Sequence, residues 1–343
     1  MGSKASVRHY FAEGFTLRGY ISLLPSRLPT WERAYVLLGG PGTGKSTLIK
    51  GIGLELLDRG YELDFLRSVH DPDAMAGFIL PRQGITMLDA LKVSPLRWNA
   101  PGIVERFVDF SLYTERHRLE QRRGEIMALQ AAYAQAQNQV EEGMQLEFGE
   151  RLRKKPTKYD PTTLASGLEE QATPLLDNAA PWSIAARALA QLQRSTLHPC
   201  FVQGLTSEGW LNLAPYFLGD CDQIHLEGEE TPDALNWLLR EVQHLGQVVD
   251  IVLHPLDPDE IIGIVFPERH LAIWQGNPER LQDQGLKEAV GPNLKEALAA
   301  RARIQAQLKG LYTETVDFIK VDSLREQVLN EILRELEVKD LFS

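Results

Sequence analysis

The chain has 343 residues, of which 43% are hydrophobic and 24% charged, and its formal net charge at pH 7 is −11. This composition is typical of a globular protein of about two domains, and the negative charge disfavours a general nucleic-acid-binding protein, which needs clustered Lys and Arg. Cys200 and Cys221 are too few for a disulfide framework or a metal cluster. Because the sequence has neither an apolar run of membrane-spanning length nor a signal-peptide layout, we expect a cytoplasmic protein without a membrane partner.

The first clear element is a strand, a glycine-rich loop and a helix in direct succession. Ala34 to Leu38 is an apolar run typical of a buried strand, and Gly39 to Ser46 matches the pattern G-x-x-x-x-G-K-[ST]. The next segment, Thr47 to Asp58, has apolar residues at helical spacing. A loop of this pattern between a strand and a helix predicts a phosphate-binding loop.

Each residue type in this loop suits a triphosphate. The glycines let the backbone curl so that successive N–H groups face an anion, and the helix adds the positive end of its dipole. Lys45 can bind β- and γ-phosphate oxygens, the hydroxyl of Ser46 can bind Mg²⁺, and Thr47 can meet the α-phosphate. The predicted nucleotide-binding residues are Gly39, Gly40, Pro41, Gly42, Thr43, Gly44, Lys45, Ser46 and Thr47.

A second metal ligand is expected to be a carboxylate at the end of a neighbouring parallel strand. The best match is Asp89, which ends an apolar run, and its rivals are Asp64, Asp71 and Asp73. Many active ATPases have a Glu directly after this Asp to orient water, but this chain has Ala90. Hydrolysis is therefore predicted to be slow or to use another residue.

A helical arm is predicted after the first α/β core, from Leu112 to about Gln145, because apolar residues recur there near helical spacing. Basic clusters at residues 116–123 and 151–158 are typical of a solvated face. The alternative is an Arg-bearing lid that reaches the γ-phosphate, as in kinases. Residues 149–180, with several Pro and Thr, predict a loose connector.

The second half of the chain repeats the first. The segment LDPDEIIGIVFP (Leu256 to Pro267) matches HDPDAMAGFILP (His70 to Pro81), 186 positions earlier. Upstream, FVQGLTSEGW (Phe201 to Trp210) matches FAEGFTLRGY (Phe11 to Tyr20), 190 positions earlier. This period is far longer than that of a solenoid repeat, so the sequence predicts two copies of a whole α/β domain. A second helical arm is predicted from Leu286 to Leu341.

The second copy has lost the chemistry of the loop. Its loop is predicted to begin near Gly228, and Ala234 and Leu235 stand where the first copy has its Lys and Ser. Three acidic residues crowd this loop and repel phosphate, while Pro232 removes an N–H donor. We therefore expect no nucleotide binding of this kind in the second copy.

The comparison of the two copies also favours Asp89 as the metal ligand. Asp64, Asp71 and Asp73 all persist in the second copy, which indicates turn-forming or capping roles. Asp89 aligns with Gln275, so it is lost together with the Lys and the Ser of the loop. We interpret Asp89 as part of their chemistry.

These motifs resemble those of a known bacterial family. The loop GGPGTGKSTLIK, the upstream FAEGFTLRGY, the following FILPRQGITMLDA and the tandem second copy are similar to a family of tandem-duplicated P-loop ATPase-like proteins whose role is not established. The resemblance covers most of the chain and is specific from Phe11 to Asp89. It implies a P-loop NTPase fold and ATP binding. In that family the strand Asp is often followed by Thr-Ala-Pro-His, whereas Ala90 to Pro95 depart from this pattern.

We predict two tandem P-loop NTPase-like domains of three-layer α/β/α type, at residues 1–195 and 196–343, each with a helical arm and the second degenerate. Since the chain lacks an Asn-Lys-x-Asp stretch that reads guanine, ATP with Mg²⁺ is favoured over GTP. The predicted function is a weak or partner-stimulated Mg²⁺-dependent ATPase with Lys45 and Asp89 as catalytic residues. A protein partner is expected on the second domain or the arms. The alternatives are a small-molecule kinase of the nucleoside or nucleotide type, and a scaffold regulated by nucleotide binding.

Overall fold

A computed structural model describes residues 6–24, 31–91, 100–152, 196–228, 230–242, 246–276 and 290–340. The protein is of mixed α/β type, with a six-stranded sheet in the first half, a five-stranded sheet in the second half and two separate two-stranded hairpins. Most of the predicted connector, residues 153–180, lies outside the described residues, as do residues 181–195 before the predicted boundary.

The first half forms a sheet whose strand order is β1-β5-β6-β7-β4-β8. Strand β4, which leads into the glycine-rich loop, has parallel neighbours on both sides, β7 and β8. This half contains β1 (Val7–Phe11), β2 (Glu13–Thr16), β3 (Gly19–Ser22), β4 (Arg33–Leu38), α1 (Lys45–Asp58), β5 (Leu63–Arg67), β6 (Met75–Leu80), β7 (Ile85–Asp89), β8 (Glu105–Asp109), a 3₁₀ helix (Phe110–Tyr113), α2 (Arg116–Gln121) and α3 (Arg123–Leu152).

The second half forms a sheet whose strand order is β12-β15-β14-β13-β9. It contains β9 (Thr196–Cys200), β10 (Gln203–Thr206), β11 (Gly209–Asn212), α4 (Ala214–Leu218), β12 (Asp222–Leu226), α5 (Thr231–Val242), β13 (Val248–Leu253), β14 (Ile261–Phe266), a 3₁₀ helix (Pro267–Arg269), β15 (Leu271–Gln275), α6 (Pro292–Thr313) and α7 (Phe318–Asp340).

The two sheets share both strand order and register. Strands β9, β13, β14, β15 and β12 take the places of β1, β5, β6, β7 and β4. Gly77 pairs with Leu66, and Gly263, 186 positions later, pairs with Val252. Each pair is followed by a shift in the pairing register. The pairing thus repeats at the offset that the sequence alignment gives, whereas β8 has no counterpart in the second sheet as described.

The two halves meet at the repeated segments around Phe11 and Phe201. The N–H of each phenylalanine donates to the carbonyl of the other, at 2.8 and 2.9 Å. A Cβ atom added to Gly14 would lie 3.2 Å from the ring of Phe201, and one added to Gly204 would lie 3.2 Å from the ring of Phe11. Reciprocal contacts between equivalent residues indicate a local pseudo-two-fold arrangement, in which the repeated glycines make room for the opposite ring.

Arg8 joins the halves electrostatically. Its Nε and Nη2 atoms donate to the carboxylate of Asp64 at 2.8 and 2.7 Å, and its Nη1 atom donates to Asp250 at 2.6 Å. Burial opposes the charge of Arg8, but both carboxylates outweigh it and raise the pKa of the guanidinium above its usual value. Asp64 and its equivalent Asp250 are therefore engaged in holding the two sheets together.

The helical arms pack across the halves. Helix α3 packs along α6, and it continues to Leu152, through the start of the predicted connector at residue 149. Helix α7, at the end of the chain, packs on α1 of the first half, where they share a core that contains Leu48, Ile49, Ile52, Leu56, Val321, Leu324, Val328, Ile332 and Leu336. None of the described helices combines the length and the hydropathy that crossing a membrane requires.

His9 on β1 makes the stability of the fold sensitive to acid. Its ring stacks on Phe65 at 5.3 Å between centroids, and its Nδ1 atom is buried without a hydrogen-bond partner among the described residues. Burial, aided by the charge of Arg67, lowers the pKa of His9 below its usual value of about 6.5. The unfolded chain therefore binds a proton as the pH falls through about 6.5, while the folded protein resists it and loses stability.

We expect His9→Phe to remove this acid sensitivity, because phenylalanine keeps the stack and has no proton to bind. The free energy of unfolding in urea, measured from about pH 8 to pH 5, should fall less steeply for the variant than for the wild type. The contribution of His9 to the slope is at most about 1.4 kcal/mol per pH unit. Equal slopes below about pH 6.5 would show that His9 titrates alike in the folded and unfolded states.

Candidate functional site

The glycine-rich loop between β4 and α1 depends on glycine at three points. The φ angles of Gly39, Gly42 and Gly44 are 137°, 76° and 96°, in the region that side chains disfavour. Helix α1 begins at Lys45, directly after Gly44. The spacing of the glycines therefore lets the loop turn back over the start of the helix.

The loop presents a row of free donors. The N–H groups of Gly42, Thr43, Gly44, Ser46 and Thr47 have no hydrogen-bond acceptor among the described residues. N–H groups at the start of a helix lack intrahelical partners, and the helix dipole adds positive charge there. A compact set of this kind is suited to an anion such as a phosphate.

Lys45 and Asp89 come together beneath the loop. The Nζ atom of Lys45 donates to the carbonyls of Gly39 and Gly40 at 2.8 and 2.7 Å, and it lies 3.6 Å from Oδ1 of Asp89. The two side chains are only 3% and 6% exposed. They meet because β7 runs parallel to β4, with Asp89 opposite Leu37, so that both strands end at the same edge.

The hydroxyl groups of the loop have different surroundings. Ser46 Oγ accepts a hydrogen bond from the N–H of Met75 at 2.8 Å, which ties the loop to the start of β6. Thr43 Oγ1 donates to the carbonyl of Gly40 at 2.9 Å and so holds the loop to itself. Thr47 is exposed in the first turn of α1.

The rival carboxylates are engaged elsewhere. Asp71 forms an ion pair with Lys309 and accepts a hydrogen bond from the N–H of Asp73 at 3.3 Å, so both belong to the turn between β5 and β6. Asp64 binds Arg8. Among these candidates, Asp89 is the carboxylate that the structure brings to Lys45.

Asp109 is a carboxylate that the sequence did not single out. It ends β8, on the other side of β4 from Asp89, and lies opposite Leu38 in the parallel pair. Its carboxylate accepts a hydrogen bond from the N–H of Ser111 at 2.8 Å. The signal in the sequence was weak, because β8 has exposed residues at its centre instead of a continuous apolar run.

The end of the second helical arm covers the loop, which the sequence did not predict either. A Cβ atom at Gly40 would lie 2.2 Å from Cε1 of Tyr312, and one at Gly42 would lie 2.6 Å from the carbonyl oxygen of Lys309. Thr313 Oγ1 donates to the carbonyl of Gly42 at 3.1 Å. We call residues 309–321, where α6 turns into α7, the C-terminal hairpin.

The described residues at the equivalent place in the second half do not form such a loop. Gly228 keeps a positive φ of 114°. However, α5 begins at Thr231, three positions after Gly228, whereas α1 begins six positions after Gly39. The N–H of Thr231 donates to Gly228 and that of Ala234 to Glu230, at 3.4 and 3.1 Å. An earlier helix start thus replaces the loop, and the N–H of Thr231 has an acceptor where that of Gly42, its equivalent, has none among the described residues.

The basic cluster at residues 116–123 is paired with carboxylates. Arg116 binds Glu120, and Arg122 binds Glu125 and Glu314. Arg118 donates to the carbonyl of Glu314 at 2.8 Å. Arg118 and Arg122 therefore hold the start of the first arm to the C-terminal hairpin, whereas the pair of Arg116 lies within α2. The second basic cluster lies outside the described residues, except for Arg151 on α3, whose side chain is not described.

Comparison of the chain with models of protein families, with curated proteins and with solved structures gives no match. The function of the site is therefore inferred from its own residues and their geometry.

Proposed function

We propose that this protein binds MgATP at the glycine-rich loop of its first half and hydrolyses it slowly, or when a partner stimulates it. The observation that carries the proposal is the set of N–H groups without an acceptor among the described residues, next to the ammonium group of Lys45; they belong to Gly42, Thr43, Gly44, Ser46 and Thr47. Five N–H donors and a cation suit the several anionic oxygen atoms of a triphosphate. The second half, which lacks the loop, is in this proposal a degenerate P-loop-like domain that provides a surface for regulation or for a protein partner.

The residues of the site fit the Mg²⁺ complex. Two carbonyls hold Lys45 at the loop beside Asp89, and in this proposal its ammonium group exchanges these contacts for phosphate oxygens when nucleotide binds. Ser46 and Asp89 offer a hydroxyl and a carboxylate, the oxygen ligands that Mg²⁺ prefers. Bound Mg²⁺ would neutralise charge on the phosphate oxygens. Slow hydrolysis follows from Ala90, because its methyl group cannot orient water.

The test is nucleotide binding by Lys45→Met. We expect the wild type to bind one MgATP per chain at micromolar concentration, and the variant to bind at least about 100-fold more weakly, or about 2.7 kcal/mol. Isothermal titration calorimetry measures both. Lys50→Met is the matched control, because Lys50 is an exposed cation on the same helix. It should retain the wild-type affinity.

A second variant separates binding from folding. Lys45→Met alone leaves the carboxylate of Asp89 buried without its cation, which destabilises a fold. Lys45→Met/Asp89→Asn has no buried charge at this position, so it should fold as the wild type does and still fail to bind. The proposal fails if the wild type does not bind MgATP, or if the folded double variant binds it as well as the wild type.

A further inference from the structure

We propose that Tyr312 and Thr313, on the C-terminal hairpin, are positioning residues of the nucleotide site. They hold the glycine-rich loop of the first half in the conformation in which its N–H groups face the triphosphate. This inference rests on the proposed function and adds to it: the last helices of the chain, which follow the second sheet, complete the site of the first.

The contact between Tyr312 and Gly40 is made by the aromatic ring of Tyr312. Gly40 does not have a positive φ, so glycine is not required here by a left-handed backbone. The atoms that a Cβ at this position would meet are Cε1, Cδ1 and Cζ of the Tyr312 ring, at 2.2, 2.3 and 2.7 Å. The glycine is therefore required by the aromatic ring that packs on it, and the ring restricts the loop in turn.

The hydrogen bond from Thr313 orients the loop. It fixes the carbonyl of Gly42 toward α6. Because a trans peptide is planar, the N–H of Thr43 in the same peptide unit points away from that carbonyl. The bond to Thr313 thus turns one of the free donors away from the hairpin and fixes its direction.

The hairpin is itself anchored to the first half. Lys309 forms an ion pair with Asp71, and Arg301 on the same helix has Nη1 3.1 Å from Nδ1 of His70. Both partners belong to the turn between β5 and β6, which leads to Met75 and its hydrogen bond to Ser46. Helix α6 therefore contacts both this turn and the loop, and the turn leads to a contact with the loop of its own. Displacement of the C-terminal hairpin would free the loop on the side that faces α6.

The test is the affinity and the dissociation rate of MgATP for hairpin variants. We expect Tyr312→Ala to bind about tenfold more weakly and Thr313→Val about threefold more weakly, with faster dissociation, because a loosened loop must be ordered when nucleotide binds. Tyr312→Phe keeps the ring and should remain within about twofold of the wild type. Ile319→Ala is the matched control, since Ile319 lies on the same hairpin and is 81% exposed.

The coupling between Tyr312 and Gly40 gives a second readout. Gly40→Ala should weaken binding about tenfold in the wild type but less than about twofold in the Tyr312→Ala background, because the clash is then absent. If Gly40→Ala weakens binding by the same factor in both backgrounds, the inference is overturned. It is also overturned if folded Tyr312→Ala binds MgATP as tightly as the wild type or more tightly. If Tyr312→Ala does not fold, Thr313→Val at an exposed position provides the test instead, and wild-type affinity of that variant for MgATP overturns the inference. A wild type that binds no MgATP refutes the proposed function instead.

Discussion

Replacement of Arg8 by leucine is expected to lower the free energy of unfolding by about 3–5 kcal/mol. The guanidinium bridges Asp64 and Asp250, whose side chains are 3% and 0% exposed. Without Arg8, two carboxylates from different halves would be buried near each other without their shared cation. Because they cannot reach water, the loss exceeds that of an ordinary surface ion pair. Chemical denaturation at neutral pH measures it.

A second Arg–Asp pair between the halves provides the control. Arg18 binds Asp259, but these side chains are 57% and 63% exposed. Arg18→Leu should therefore cost at most about 1 kcal/mol. Adding Asp64→Asn and Asp250→Asn to Arg8→Leu should recover much of the stability, since none of these three positions then carries a buried charge. If Arg8→Leu costs no more than Arg18→Leu, the bridge does not hold the halves together.

The repeat made the likeness of the two sheets predictable, although not their strand order. Sequence identities such as Gly77 with Gly263 lie in the central strands, where register is fixed by burial on both faces. The alignment of the two halves therefore places equivalent residues in equivalent strand pairs. It also showed the loss of the loop, which the structure explains by the earlier start of α5. Strand β8 was missed because Phe107 is 37% exposed, so its pattern is not that of a buried strand.

The site was predictable where its residues are local or where, like Asp89, they end an apolar strand beside the loop. The curl of the loop depends on the spacing of glycines within six residues, and this spacing can be read from the sequence alone. Tyr312 lies far along the chain from Gly40, on a helix whose own pattern states only that one face is apolar. An amphipathic helix does not specify which surface it covers. The cover over the loop, like the packing of α7 on α1, could therefore be found only in three dimensions.

Gly42→Ala is expected to abolish MgATP binding and to destabilise the protein by about 2–5 kcal/mol. Its φ of 76° is strained for alanine, and the new Cβ would lie 2.6 Å from the carbonyl oxygen of Lys309 and from Oγ1 of Thr313. The first of these is a backbone atom, so relief requires movement of α6 or of the loop. Either movement breaks the hydrogen bond from Thr313 and misdirects the free N–H groups. Affinity should fall at least about 100-fold, as measured by calorimetry.

Gly60→Ala separates backbone strain from the contact with α6. Gly60 has a φ of 93°, and a Cβ there would meet nothing within 4 Å. It should therefore cost about 1–2 kcal/mol through strain alone and leave the affinity for MgATP unchanged. Tyr312→Ala should not rescue Gly42→Ala, because the clashing atoms belong to Lys309 and Thr313. If Gly42→Ala matches Gly60→Ala in both stability and affinity, the loop does not need its close approach to the C-terminal hairpin.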